Sequence, residues 1–114
     1  MSPTARSLKY CREQGWPAAV VERWNPHSKR RIDLFGWCDI VALTEQGILG
    51  IQACAGASHA ARATKAKPLV APWIESCGIA EVWSWSQRGA KGKRKLWVLR
   101  REDLDPMAVA DASA

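Results

Sequence analysis

Two neighbouring stretches of the chain place polar residues where a divalent metal ion could be held. Asp39 begins an apolar run at 40–43, and Gln52 and Cys54 stand two residues apart in the run at 47–54. Both runs have the composition of β-strands, and residues i and i+2 of a strand point to the same face of a sheet. An acid that faces a polar pair on a neighbouring strand is typical of sites that hold a metal ion over a phosphodiester. Metal-dependent chemistry is therefore the first hypothesis for this chain.

Size and composition predict one folded domain. The chain has 114 residues, of which 47% are hydrophobic and seven are tryptophan. Its four cysteines stand singly, which argues against a zinc knuckle and a dense disulfide framework. We expect reduced thiols, three of them packed as small hydrophobic side chains. No run is long enough to cross a membrane and no apolar leader is visible, so a cytoplasmic protein is expected.

The net charge of +6 is concentrated in two blocks. Seven of the 17 basic residues lie at 6–31, and seven more lie at 88–101, a stretch without an acid. Such blocks favour a polyanionic partner such as DNA, because binding releases counterions from the phosphate backbone. The alternative is a surface that only keeps the protein in solution. The residues expected to contact nucleic acid are Arg30, Arg31, Arg62, Lys91, Lys93, Arg94 and Lys95.

Periodicity and turn residues predict the order α-β-β-β-α-β-β. The first helix is predicted from Thr4 or Ser7 to Gln14, followed by a strand at 18–24 and a solvated loop at 25–31. Further strands are predicted within 31–43 and at 47–54, 79–85 and 95–100, with helices at 58–67 and 70–77. This order predicts an α/β fold, with a central mixed sheet of about five strands flanked by helices. One domain is predicted at 1–101, with an acidic, frayed tail at 102–114.

These elements resemble the PD-(D/E)xK nuclease superfamily, and within it the small Holliday-junction-resolvase-like and phage nucleases. Gly36-Trp-Cys-Asp-Ile-Val-Ala42 is similar to the family's G-x-x-D-ϕ-ϕ-A strand, and Gly50-Ile-Gln-Ala-Cys54 stands where the family has ϕ-E-x-K. The likeness covers residues 7–100. It implies a restriction-endonuclease-like core and a DNA endonuclease that uses Mg²⁺ or Mn²⁺. It also implies duplex or branched DNA as the substrate and a two-fold homodimer.

The resemblance gives each matching position a role. Asp39 would be the metal-binding acid, the amide oxygen of Gln52 the second ligand and the backbone carbonyl of Ala53 the third. Gln52 is neutral where the family has Glu, so weaker metal binding is expected. Cys54 takes the place of the catalytic lysine. Arg62 and Lys65 on the following helix are the candidates to supply the missing charge, with Lys67 a third.

One acidic residue of the resolvase pattern has no direct match. Resolvases carry this acid on the first helix, but Glu13 lies too near the end of that helix. Glu22 on the predicted first strand is the better substitute. Asp33 and Asp39 also flank Phe35-Gly-Trp, where the glycine would let the backbone turn close to a ligand.

Two other hypotheses stay open at this point. In the first, the same fold has lost catalysis and serves as a nucleic-acid-binding or protein-interaction module, with Gln52 and Cys54 as core residues. In the second, the basic loops meet an acidic protein surface. The first differs from the enzyme only in whether a divalent ion is bound productively, whereas steep salt dependence of DNA binding would exclude the second.

Several aromatic and histidine positions have both a functional and a structural interpretation. His59 could act as a general base, but a lone helical histidine is more often a surface or capping residue. Trp83 and Trp85 share one strand face and could stack on bases. As residues of a central strand they are expected in the core, and the same holds for Trp24, Trp37 and Trp97.

Overall fold

A five-stranded mixed sheet with helices on both faces forms the centre of the computed structural model, which describes residues 1–107. The helices are α1 (Pro3–Glu13), α2 (His59–Ala66) and α3 (Ala71–Glu75). The strands are β1 (Ala18–Val20), β2 (Arg23–Asn25), β3 (Arg30–Ile32), β4 (Ile40–Thr44), β5 (Gly47–Ala55), β6 (Ile79–Arg88) and β7 (Leu96–Asp103).

The main sheet has the strand order β1-β4-β5-β6-β7. Strands β5 and β6 are parallel and are connected through α2 and α3, whereas the other neighbours are antiparallel. The predicted α/β class with a central mixed sheet of about five strands is therefore confirmed. Helix α1 covers one face, where Cys11 packs against Ile40 and Ile51. Helix α2 covers the other face, where Ala63 packs against Val82.

The start of α1 differs from the prediction. Ser2, and not Thr4 or Ser7, caps the helix, because its hydroxyl accepts a hydrogen bond of 3.0 Å from the N–H of Ala5. Pro3 follows at the first helical position, where its missing N–H costs no hydrogen bond. The N-terminal turn of α1 is thereby fixed close to the end of the central strand β5.

The prediction of a single strand at 18–24 is wrong. The N–H groups of Val21 and Glu22 both donate to the carbonyl of Asp39, at 2.8 and 3.4 Å, and the pairing of β1 with β4 ends there. The chain then leaves the sheet and forms β2, which pairs with β3 in a separate two-stranded sheet. The predicted loop at 25–31 is accordingly the tip of a hairpin, in which the side chain of Asn25 accepts hydrogen bonds from the turn.

The domain boundary predicted at 101 is also misplaced. Strand β7 continues to Asp103, and Leu104 is buried in the core while its N–H donates to the carbonyl of Ala80 at 2.8 Å. The remainder of the predicted frayed tail, at 108–114, lies outside the described residues. No helix within residues 1–107 is long and apolar enough to cross a membrane.

The core contains most of the expected residues. Trp37, Trp83 and Trp85 are buried, and Cys11, Cys38 and Cys54 are buried free thiols while Cys77 is exposed, as predicted. The prediction that Trp24 and Trp97 belong to the core is wrong, since they are 57% and 46% exposed. Trp24 lies on the β2–β3 hairpin outside the main sheet. Trp97 lies on β7 beyond the last residue of β5, where Arg6 of α1 lies 3.7 Å from the centre of its ring and covers it only in part.

Candidate metal centre

A cleft of about 840 Å³ opens at the carboxyl end of β5. The first turn of α1 forms one wall and α2 forms the other, while the chain around β1, β3 and β4 contributes the floor. Most of the residues predicted for the site line this one cleft, namely Arg31, Asp39, Gln52, Ala53, Cys54, Arg62 and Lys65. Arg30 and the cations of the 91–95 loop do not line it.

Three carboxylates meet in this cleft. One oxygen each of Glu22, Asp33 and Asp39 lies within 4.8 Å of the other two. The β2–β3 hairpin explains two of them: Arg23 pairs with Ile32, so the next position outward places Glu22 opposite Asp33 at the base of the hairpin. Asp39 joins them because it directly precedes β4, beside the point where β1 ends.

Asp39 is held by hydrogen bonds from β5. Its Oδ2 accepts one from the backbone N–H of Ala53 at 2.9 Å and one from Nε2 of Gln52 at 2.8 Å. The β4–β5 ladder ends at the pair Ile40 and Ile51. The bonds to the Asp39 side chain continue the contact between these two segments beyond that pair. Asp39 is 3% exposed, so its orientation is fixed by β5 and not by solvent.

The amide oxygen of Gln52 completes the polar environment. Gln52 is 2% exposed, and its Oε1 is buried without a hydrogen-bond partner among the described residues. An unpaired buried acceptor costs about 1–3 kcal/mol. Such an atom, next to three carboxylates, is the chemistry expected of a further oxygen ligand for a hard cation.

The surroundings of Asp39 favour its protonated form. Burial raises the pKa of Asp39 to about 8, with further contributions from its hydrogen bond to Asp33 and from the negative charges of Asp33 and Glu22. The N–H of Ala53 acts in the opposite direction. The cluster therefore retains a proton near neutral pH, and a bound divalent cation would replace that proton as the neutralising charge.

Cations surround the carboxylates on the cleft walls. Nη1 of Arg31 lies 3.7 Å from Oε1 of Glu22, and Arg62 and Lys65 project from exposed positions of α2. Cys54 provides no charge, because burial raises the pKa of its thiol and it packs into the core. The positive charge that the resemblance assigned to position 54 can therefore come only from neighbouring elements such as α2.

Four of the predicted cations lie on a ribbon outside the cleft, whereas Arg30 lies on β3. Strand β5 ends opposite Trp85, but β6 and β7 stay paired as far as Arg88 and Leu96. The ribbon thus extends three residues, about 10 Å, beyond β5, at the same end of the sheet as the cleft. Its loop carries the exposed Lys91, Lys93, Arg94 and Lys95.

His59 belongs to a different group of polar residues. Its Nδ1 lies 2.6 Å from Oγ of Ser84, and its Nε2 lies 2.9 Å from Oε1 of Glu102. His59 is 1% exposed, so the expectation of a surface or capping residue is wrong, and it does not line the cleft either. Ser84 is also buried, and the group ties α2 to β6 and β7.

Sequence reasoning did not include Asp33 among the metal ligands and offered Glu22 only as a substitute for a helix acid. The available signal was the turn composition of residues 25–28, which predicts a short hairpin. The residue before the first strand of such a hairpin lies opposite the residue after the second. Comparisons with protein-family models, with curated proteins and with solved structures gave no match to this chain.

Proposed function

We propose that this protein is a metal-dependent nuclease that hydrolyses phosphodiester bonds in DNA on a restriction-endonuclease-like core. The observation that carries the proposal is the cluster of Glu22, Asp33 and Asp39, with the unpartnered amide oxygen of Gln52 beside it. Four oxygen donors, three of them acidic, suit Mg²⁺ or Mn²⁺. The donor set therefore fits the ion that the sequence led us to expect.

A bound ion of this kind would polarise the phosphate and activate a water molecule. The protein's own contribution is to hold the carboxylates in place, through the hydrogen bonds that Ala53 and Gln52 donate to Asp39. Arg62 and Lys65 line the cleft on the wall opposite α1 and would bind the substrate phosphate there. Lys65 is the candidate to stabilise charge on the phosphate, since the thiol of Cys54 cannot do so.

The charge distribution supports a nucleic-acid substrate. The β2–β3 hairpin begins at the cleft and carries Arg23, Lys29, Arg30 and Arg31, and the β6–β7 ribbon adds five cations from Arg88 to Lys95. Both surfaces flank the carboxylates, so a phosphate backbone that crosses the cleft can contact cations on either side.

A second candidate is a DNA-binding domain without catalysis. The observation that favours it is the neutral, buried Cys54 at the position where the related nucleases have lysine. This candidate predicts the same binding surface and the same salt dependence, but no cleavage with any divalent ion.

The test is cleavage of labelled four-way junction, flap, duplex and single-stranded DNA with Mg²⁺ and with Mn²⁺. Glu22→Gln, Asp33→Asn and Asp39→Asn should each abolish cleavage and weaken Mn²⁺ binding, measured by titration calorimetry. Glu75→Gln removes the same charge from an exposed position on α3 and should leave both unchanged. Cleavage that survives all three cluster substitutions would show a contaminating enzyme, and Mn²⁺ binding or DNA binding without cleavage would select the second candidate.

A further inference from the structure

An aromatic cup of about 550 Å³ lies beside the cleft. Its walls are Phe35 and Trp73, whose ring centroids are 6.4 Å apart, and Trp37 packs edge-on against Trp73 at 5.5 Å. Leu69 and Pro72 complete the apolar lining. The indole N–H of Trp37 is buried and has no hydrogen-bond partner among the described residues. The accessible surface of the cup is therefore aromatic and apolar.

Phe35 is presented on a strained turn. Phe35 and Gly36 have φ angles of +56° and +82°, and the turn is closed by hydrogen bonds between Leu34 and Cys38 of 2.8 and 2.9 Å. Two successive positive φ angles favour Asn-Gly, because a residue with a bulky side chain is strained there. Phe35 nevertheless occupies the first position and is 68% exposed. Neither backbone preference nor burial in the core accounts for a phenylalanine at this site.

Two segments of the chain contribute residues to both the cup and the cleft. Along the chain, Asp33 and Asp39 line the cleft, whereas Phe35 and Trp37 between them line the cup. Two residues span at most about 7 Å between their Cα atoms, so the backbone that carries Phe35 lies close to the backbone that carries Asp33.

The second of these segments is α2 and the turn after it. Ser58, Arg62 and Lys65 line the cleft, and Leu69, the next residue at helical spacing, lines the cup. The phosphate-binding cations thus lead directly to an apolar, aromatic surface. A ligand that crosses both would need an anionic group and a planar ring a short distance apart.

We propose that the cup receives an unstacked nucleobase of the strand whose phosphates lie in the cleft, with the base stacked on Phe35. A nucleotide combines the phosphate that Arg62 and Lys65 would bind with a planar ring that can stack on one exposed aromatic face. This inference rests on the nucleic-acid binding in the proposed function, but not on cleavage.

The test is the substitution Phe35→Asn, since asparagine is the residue that the turn favours. Binding of a fluorescent 12-nucleotide thymidine strand is measured by anisotropy in EDTA, so that no metal ion or cleavage is involved. We expect a Kd about 5- to 150-fold higher than that of the wild type, the range found when one stacking side chain is removed. The melting temperature should be unchanged or higher, which excludes unfolding as the cause.

Two controls isolate the stacking contact. An abasic strand of the same length keeps every phosphate, so the wild type and Phe35→Asn should bind it equally. Leu43→Asn removes an apolar side chain of similar exposure, 52%, that lines neither the cup nor the cleft, and should bind the thymidine strand like the wild type. Phe35→Asn with unchanged affinity for the thymidine strand would overturn the proposal, and so would equal losses on the abasic strand.

The same assay separates this inference from the nuclease hypothesis. Base-dependent loss in Phe35→Asn, without any cleavage by the wild type, would support the cup and reject the enzyme. Cleavage with no base-dependent loss would do the opposite.

Discussion

Replacement of Asp39 by asparagine should make the metal-free protein more stable at alkaline pH. Asp39 is nearly inaccessible to solvent and shares its surroundings with Glu22 and Asp33. An asparagine oxygen can still accept the hydrogen bonds from Ala53 and Gln52, and its amide can donate to the carboxylate of Asp33. The substitution therefore preserves the hydrogen bonds and removes the buried negative charge.

The magnitude follows from the pKa of Asp39, which burial and the neighbouring acids raise from 3.8 to about 8. Between these two values the folded state keeps a proton that the unfolded state has released, so the free energy of unfolding falls as the pH rises. Each unit of pKa corresponds to about 1.4 kcal/mol, so the full loss has an upper limit of about 6 kcal/mol. Since the cluster can relax when it ionises, we expect Asp39→Asn to be about 2–5 kcal/mol more stable at pH 8.5 and of similar stability near pH 4.

Urea unfolding in EDTA, at intervals from pH 4 to pH 8.5, measures this difference. Burial also raises the pKa of Asp103, which adds slope of the same sign to both proteins, so the difference between them isolates Asp39. Mn²⁺ at 100 times its Kd should stabilise the wild type at pH 8.5 by about 2.7 kcal/mol, and the variant by much less.

The reasoning would be refuted by a wild-type stability that is constant or rises from pH 5 to pH 8.5. It would equally be refuted by an Asp39→Asn protein less stable than the wild type at pH 8.5. Either result would mean that Asp39 is ionised at little cost without a metal ion, so that the cluster does not need a cation.

Two further substitutions test other parts of the site. Gln52→Glu adds a fourth carboxylate and removes the donor to Asp39, so we expect the free energy of unfolding of the metal-free protein at pH 8 to fall by about 1–3 kcal/mol. Urea unfolding in EDTA measures this, and a free energy equal to that of the wild type would contradict the expectation. His59→Ala leaves Ser84 buried and unpaired, which should cost about 2–4 kcal/mol in urea unfolding. The folded variant should keep wild-type Mn²⁺ affinity, and a large loss of that affinity would place His59 in the metal site after all.

The sheet was predictable because its strands carry strong local signals. The run from Leu49 to Cys54 is buried, which matches its position as the central strand with helices on both sides. Pro68 and Gly78 correctly marked the segments between β5 and β6 as short helices. The predicted first strand failed because residues 18–24 contain no turn residue that would end a strand, whereas β4, which pairs with β1, begins only at Ile40 and the pairing stops at Val20. The point at which β4 begins depends on the tertiary fold, so the sequence of residues 18–24 alone does not predict where its pairing with β1 stops.

The site was predictable only where it lies on regular strands. Asp39 and Gln52 face each other across the end of the β4–β5 ladder, so strand alternation placed both at one point. Glu22 and Asp33 reach the same point through a hairpin that leaves the sheet. Their spacing of eleven residues has no meaning until the register of β2 and β3 is known.

The glutamine at position 52 acquires a different meaning once these two acids are included. Viewed with Asp39 alone, a neutral residue at this position weakens the site by one negative charge. With Glu22 and Asp33 also present, the neutral glutamine avoids a fourth buried carboxylate, which would have to be protonated or expelled. Its Nε2 donates to Asp39 and its Oε1 is left free, so one side chain both orients the acid and supplies a further oxygen. In the proposed metal site the acidic oxygens come from Asp39 and the β2–β3 hairpin and not from β5, so a neutral residue at position 52 does not argue against metal binding.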